Sequence, residues 1–458
     1  MKNILISFFS GLGDKKIPCY YEGLMSSLSA QGNNVYYLIT NSIVKKAWNG
    51  TNVSSNSKDD DYILSQINAA KLDLIITFNN SIPNIIHENF DIKTIIAEAD
   101  SYRYYNDKEY LRIAGDRFLY TTAAHENIKE ISKTFSVSKK NVHKIELATN
   151  LEPENLELKR QLLFLGSPFF ISKNLKTQFA NHLSYSEMVR AIHQSNEYWD
   201  LENYSNKAIR ECFSGSISST QEFIDNGSAL YRRTILEKIS PLGLEVFGAA
   251  WEKEHSPIIY KHFNKKSIVT AYDNQKLYNS SNITLNINHL QAGSAFSWRV
   301  LDIAATNSML VSNYSSGIPE FFGNKVKIPM FETANEAYNL IKYSLNNTNY
   351  MRDIVLASQE VIMSKGRWEH RIKDFSEITG LNLLNTDYEP KLKNIAPDKI
   401  KVPERYIKKV SIFILKSFLS TSLLIFGKKF NYFFYTHLKF LFPNLAFTLN
   451  EIRKRNWD

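Results

Sequence analysis

Short runs of branched and aromatic residues recur along this chain with longer mixed segments between them, and that alternation restricts its fold more than any other feature. NILISFF, NVYYLIT, LDLIITF, KTIIAEA, RFLYTTA and VHKIEL read as strands, and YYEGLMSSLSAQG reads as one of the helices between them. Strands that are apolar throughout must be covered on both faces, so the pattern predicts a parallel sheet flanked by helices. The chain turns polar across 151–159, and RQLLFLGSPFF then opens a second series, continued by LEVFGAA, SIVTAY, ITLNIN, SMLVSN and VKIPMF. A length of 458 residues, 43% apolar and 13% aromatic, can fill two such cores but is too long for one. The expected architecture is α/β, with two Rossmann-like domains, 1–158 and 159–385, facing across a cleft.

The two cysteines, Cys19 and Cys212, provide no disulfide framework, and a reducing compartment is expected. The opening MKNILISFFSGLGD has too short an apolar core for a signal peptide and reads as a first strand and its loop, which predicts a cytoplasmic start. The net charge of +9 is concentrated at the other end, where residues 405–458 carry ten Lys and Arg against Glu451 and Asp458. A polar stretch with prolines, 386–404, reads as the linker to that tail. The longest uncharged run there, Ser417 to Gly427, has 11 residues, too few to cross a bilayer core of about 30 Å as a helix. Its mixture of aromatic residues and spaced lysines fits a helix on an anionic membrane surface, or alternatively a helical pair packed on the body or on a second copy. With the remainder of the chain nearly neutral, a nucleic-acid partner is not expected.

Residues 282–322 carry the densest chemistry. They read as a buried strand, a small-residue loop from His289 to Ser297, a helix start with Arg299 and Asp302, a second buried strand, and a turn closing on Pro319 and Glu320. Loops at the carboxyl ends of parallel strands are where α/β proteins bind ligands. Backbone N–H groups around Gly293, Ser294 and Ser297 together with Arg299 suit a phosphate, while Asp302, one turn on, suits sugar hydroxyls.

This segment resembles the C-terminal signature of group 1 GT-B glycosyltransferases, most closely the CgeB-like branch. Asp302 stands where the wider superfamily has a ribose-binding Glu, and Ser294 where many members have the first Glu of a spaced acidic pair. Ala305, Thr306 and Asn307 replace the usual Ala-Cys-Gly. Phe164 to Ser167 resembles the opening strand and turn of the family's nucleotide domain. Tyr231 to Arg233, then LEVFGAAW with Gly248 and Trp251, resembles its next helix and strand, and SKGRWEHRIKDF resembles the helix that crosses back to the first domain. The resemblance implies donor contacts from Gly166, Ser167, Arg232, Gly248, His289, Ser294, Ser297, Arg299, Asp302 and Glu320. Residues 168–227 interrupt it as an insertion, readable as a helical subdomain or an acceptor wall.

Catalytic candidates lie elsewhere, because Ser294 cannot act as an acid. Asp14, in the Gly11-Leu12-Gly13-Asp14 loop, either orients an acceptor or caps the following helix. Glu98 and Asp100 end a strand two residues apart, a spacing open to acid–base work or to bonding with their own loop. His125 follows another strand, Glu152 and Glu154 stand at the junction, and Asp225 lies in FIDNGS; each is either a cleft residue or a structural one. Arg233 has the same two readings.

No cysteine and histidine cluster has metal-ligand spacing, and neither a metal nor a cofactor is expected; the nucleotide-sugar is a substrate. The expected function is transfer of sugar from such a donor to a lipid-linked or polysaccharide acceptor in cell-envelope lipopolysaccharide or capsule synthesis, on the inner membrane face. A CMP-Kdo-dependent transferase, a sugar-nucleotide epimerase, and a non-catalytic glycan-binding scaffold of the same fold are the alternatives.

Overall fold

Two all-parallel sheets organise the chain. The computed structural model describes residues 1–11, 16–41, 57–169, 217–253, 256–384 and 398–399, and residues 1–401 form a single contact unit. Asp14 and the tail, 405–458, lie outside the described residues.

The first sheet contains β1 (Asn3–Phe8), β2 (Asn34–Ile39), β3 (Leu74–Phe78), β4 (Lys93–Ala97), β5 (Leu119–Thr122) and β6 (Val142–Lys144), in the order 2-1-3-4-5-6. Ile4, Ile6, Leu74, Ile76 and Ile95 pack beneath helices Cys19–Ala30 and Trp368–Thr379, while Ile96 and Tyr120 face a second cluster with Tyr105 and Phe135. The alternating faces of each strand are therefore both buried, as the continuous apolar runs require.

The second sheet contains β7 (Arg160–Leu165), β8 (Leu244–Phe247), β9 (Ser281–Asn286), β10 (Met309–Asn313) and β11 (Met330–Phe331), in the order 11-10-9-7-8. Leu162, Phe164, Ile283, Leu285 and Val311 pack on helices Ile217–Ile239 and Ala334–Leu345; Leu163, Leu165, Phe247 and Leu310 face the opposite layer with Val300, Leu301 and Phe321. Helix Ile217–Ile239 begins inside the stretch read as an insertion.

Three local departures from the sequence reading have physical causes. Ser267–Tyr272 is not a strand, because Thr270 caps helix Ala271–Asn279 in a reciprocal box with Asp273. Within VKIPMF only Met330 and Phe331 pair, leaving Val326–Pro329 irregular, with Pro329 unable to donate to a ladder. In the stretch read as a linker, Asp398–Lys399 forms β12, parallel to β2 at the sheet edge.

Between the halves the chain crosses out near Thr149 and returns near Arg367, and these two residues form a parallel bridge. Thr149 N–H donates to Gly366 at 3.0 Å, and Arg367 donates to the carbonyl of Leu151. Trp368, Ile372, Phe375 and Leu383 then enter the core of the first sheet.

Candidate functional site

Strand order reverses at the centre of both all-parallel sheets, between β1 and β3 and between β7 and β9, and the loops leaving those strands face one another. A cavity of about 620 Å³ lies between them. Gly11, Asn79, Asp100 and Tyr104 line it from the first half, and Gly166, Ser167, Phe169, Gly248, His289 and Arg299 from the second. A smaller cavity of about 230 Å³ adjoins it, sharing Asp100, His289, Gln291 and Arg299 and adding Glu98, Asn288 and Ser297. Most of the expected residues thus come together from six loops.

The β7 turn is shaped by close backbone packing. Gly166 N–H donates to Phe247 at 2.9 Å and its carbonyl accepts Trp251 Nε1 at 2.6 Å. Gly248 adopts φ +129°, and a Cβ there would overlap the Gly166 carbonyl, so glycine is required.

Arg232 projects from helix Ile217–Ile239 beneath this turn and is only 4% exposed. Its guanidinium donates to the carbonyls of Ser167 and of Ile287, the latter at 2.8 Å, and lies 4.4 Å from the centre of the Phe169 ring. Nε is buried without a hydrogen-bond partner. Burial, reinforced by the positive charge of Arg299, pulls its pKa down to about 9. Arg299 opens the short helix Arg299–Ala304, lines both cavities and lies near Tyr278. Neither arginine has a carboxylate at ion-pair distance among the described residues. Buried Arg232 and half-buried Arg299 therefore lie close together beside the cleft. Arg233, by contrast, pairs with Glu237 at 2.9 Å on the helix face.

His289 caps a 3-10 turn, Leu290–Ala292, and meets the Phe169 ring edge at 4.5 Å. Phe169 holds φ +52°, an uncommon conformation for a bulky side chain. Ser297 accepts the Arg299 N–H at 3.2 Å, fixing the helix start.

The two carboxylates at the end of β4 have different fates. Glu98 accepts from Tyr102 N–H at 2.7 Å, from Asn127 Nδ2 on both carboxylate oxygens at 2.9 and 3.0 Å, and from the Thr122 hydroxyl. Burial raises its pKa and these bonds oppose the rise. Its hydrogen bonds thus go to its own loop, to β5 and to helix His125–Phe135. Asp100 lines both cavities and is held by Asn79 Nδ2 at 3.1 Å and by Gln291 Nε2, from the other half, at 3.3 Å. Asn79 and Asn80, at φ +53° and +52°, form a consecutive left-handed pair beside it. Asn79 Oδ1 also accepts the backbone N–H groups of Ala99 and Asp100, at 2.9 and 3.2 Å.

Four expected donor residues line neither cavity: Arg232, beneath the β7 turn, and Asp302, Ser294 and Glu320. Asp302 is 5% exposed and accepts from the Thr149 hydroxyl at 2.6 Å; burial pushes its pKa up to about 7 against that bond and the charge of Arg299. Asp302, one turn after Arg299, is held at the crossover by Thr149. Ser294 donates its N–H to Glu126 at 2.9 Å, and its hydroxyl to the same carboxylate. Glu320 bonds Lys144 at 2.5 Å and His125 at 3.1 Å across the rim, and the Lys144 bond, opposed by burial, holds its pKa low. Glu152 and Glu154 sit at the crossover, their backbone N–H groups bonded to Gln275 and Asn279. Asp225 lies on helix Ile217–Ile239.

Glu126, Gln291, Asn79 and Thr149 escaped the sequence reading. Asn79-Asn80 directly after an apolar strand was the one visible signal, since asparagine tolerates left-handed backbone. The others act through contacts more than a hundred residues apart in sequence.

Among the described residues, no group of three or more His, Cys, Asp or Glu could hold a metal ion, and no helix is long and apolar enough to cross a membrane.

Residues 232–377 match a protein family described as glycosyl transferase-like. No curated protein matches the chain. Similar solved structures include sucrose-phosphate synthase from Thermosynechococcus elongatus, 12% identical over 82% of this chain and 98% of that one, with a TM-score of 0.48. Anabaena HepE in complex with UDP-glucose is 12% identical over 83% and 100%, with a TM-score of 0.47. A glycosyltransferase from Rickettsia africae is 13% identical over 82% and 99%, with a TM-score of 0.44. The matched segment, Arg232 to Glu377, carries both cleft arginines and is similar to glycosyl transferase-like domains.

Proposed function

We propose that this chain is a glycosyltransferase that moves a sugar from a nucleotide-sugar donor to an acceptor hydroxyl. The observation that carries the reading is the convergence beside the cleft of Arg232, which is buried, and Arg299, which is half-buried, neither with a carboxylate at ion-pair distance among the described residues. Uncompensated buried cations are costly unless an anion arrives, and a phosphate satisfies them with charge-assisted bonds. The match to a glycosyl transferase-like family over residues 232–377 supports the same reading.

The second half would hold the donor, with Gly166 and Gly248 letting its backbone come close and His289 at the side. The acceptor would enter from the first half, past Asn79 and Tyr104. Asp100, set by Asn79 and Gln291, takes the proton from the acceptor hydroxyl as its oxygen attacks the anomeric carbon. The bond to the nucleoside phosphate breaks, and the arginines stabilise the charge that develops there. Closure of the halves excludes water and aligns the two substrates. The acceptor we favour is a lipid-linked or polysaccharide glycan of the cell envelope, reached by way of the basic tail, 405–458.

Hydrolysis and thermal-shift measurements with UDP-, GDP-, dTDP- and CMP-sugars test the proposal. A donor is expected to raise the melting temperature and to be slowly hydrolysed. Folded protein that responds to none of them is not a nucleotide-sugar transferase.

A further inference from the structure

Glu126 belongs to the first half, as the second residue of helix His125–Phe135, yet its carboxylate is seated on a loop of the second half. One oxygen accepts Ser294 N–H at 2.9 Å and the other accepts the Ser294 hydroxyl. Gly293 makes room for this approach, since at φ +57° any Cβ would overlap the Glu126 carboxylate. The gripped loop carries Gln291 on one side and Ser297 and Arg299 on the other. Its grip extends further, because the Ser294 carbonyl accepts Gly317 N–H at 2.9 Å and the Ser315 hydroxyl at 3.0 Å. Those bonds tie it to helix Gly317–Phe322, whose Glu320 reaches back to Lys144.

We propose that Glu126 is a positioning residue that couples closure of the cleft to the placement of Arg299. The carboxylate can meet Ser294 only when the halves are together, and the bond then orders the loop that presents the arginine. A hydroxyl at position 294 follows from this arrangement, because a carboxylate there would face Glu126 and repel it. Glu126 lines neither cavity, so it acts through the loop and touches no substrate.

Full-length Glu126→Ala, Glu126→Gln, Ser294→Ala and the Ala/Ala double variant test this by hydrogen exchange over residues 290–299 and by titration with inorganic pyrophosphate, a probe for the arginines. Glu126→Ala and Ser294→Ala are each expected to speed exchange and to weaken pyrophosphate binding about tenfold, the scale of one charge-assisted hydrogen bond. The double variant should be no worse than either single one. Glu126→Gln, which keeps an acceptor for Ser294 N–H, should recover most of both losses. In an Arg299→Ala background, Glu126→Ala should no longer change binding, which a merely structural role would not produce. Unchanged exchange over 290–299 in folded Glu126→Ala protein, or additive effects in the double variant, overturns the proposal. The binding arm rests on the donor-site reading; if wild-type protein ignores pyrophosphate, that reading is in trouble while exchange still decides the role of Glu126.

Discussion

Gln291 donates to Asp100 across the cleft at 3.3 Å, so the carboxylate best exposed to both cavities is oriented by the half of the molecule opposite its own. Separation of the halves removes that bond and leaves Asp100 with Asn79 alone.

Asp100→Asn keeps the side chain's shape while removing its capacity to take a proton. Transfer should fall by about 10²- to 10⁴-fold, the usual contribution of a general base. Donor affinity measured by calorimetry should stay within about twofold, because the arginines are untouched. Equal losses in affinity and turnover would move Asp100 from chemistry to binding.

Arg299→Ala should weaken donor binding by about ten- to a hundredfold, as loss of a charge-assisted contact does. Arg232→Met should weaken it similarly while raising stability toward urea, since it removes a buried cation that has no counter-ion among the described residues. A donor affinity unchanged in both variants would locate the phosphate elsewhere.

Asp302 makes stability depend on pH in a definite direction. Its folded pKa, about 7, exceeds the ordinary carboxylate value of 3.8, so between those values the unfolded chain has released a proton that the folded one keeps. Stability contributed by this group is therefore lost as pH rises from about 4 to 7, with an upper bound of about 4 kcal/mol for the whole shift. Asp302→Asn retains an acceptor for Thr149 and no ionisation. Urea denaturation should find this variant gaining on the wild type between pH 4.5 and 8; a constant difference across that range contradicts the assignment.

Gly248→Ala should cost about 1–3 kcal/mol through its positive φ alone, and more through collision with Gly166. Donor affinity should drop with it, because the β7 turn must shift. Thermal melting with and without donor separates the two effects, and a variant as stable as the wild type would show that the turn has slack.

Sequence periodicity revealed the strands because they are buried on both faces; Leu74–Phe78, for example, has no polar position exposed. It misread Ser267–Tyr272 because IVTAY is equally good strand composition, and the deciding signal was Thr270 three residues before Asp273, a capping pattern. Arg232 and Arg299 stand in local motifs, and the fold brings them near one another. The roles of Ser294 and Glu320 were not, since both depend on which residues of the first half arrive opposite them, and no local pattern encodes Glu126 or Lys144 as those partners.

The return of the chain through Arg367 and Trp368 bears on how this protein can be made or divided. The first half's core is completed only by residues translated after the whole second half, so a ribosome emitting residues 1–158 has released a sheet still lacking Trp368, Ile372 and Phe375. Gene fragments cut at the junction should accordingly yield a poorly folded amino-terminal piece that a separately supplied 360–384 peptide can rescue, and useful circular permutations should place the new ends on the outer rim, away from Thr149 and Arg367.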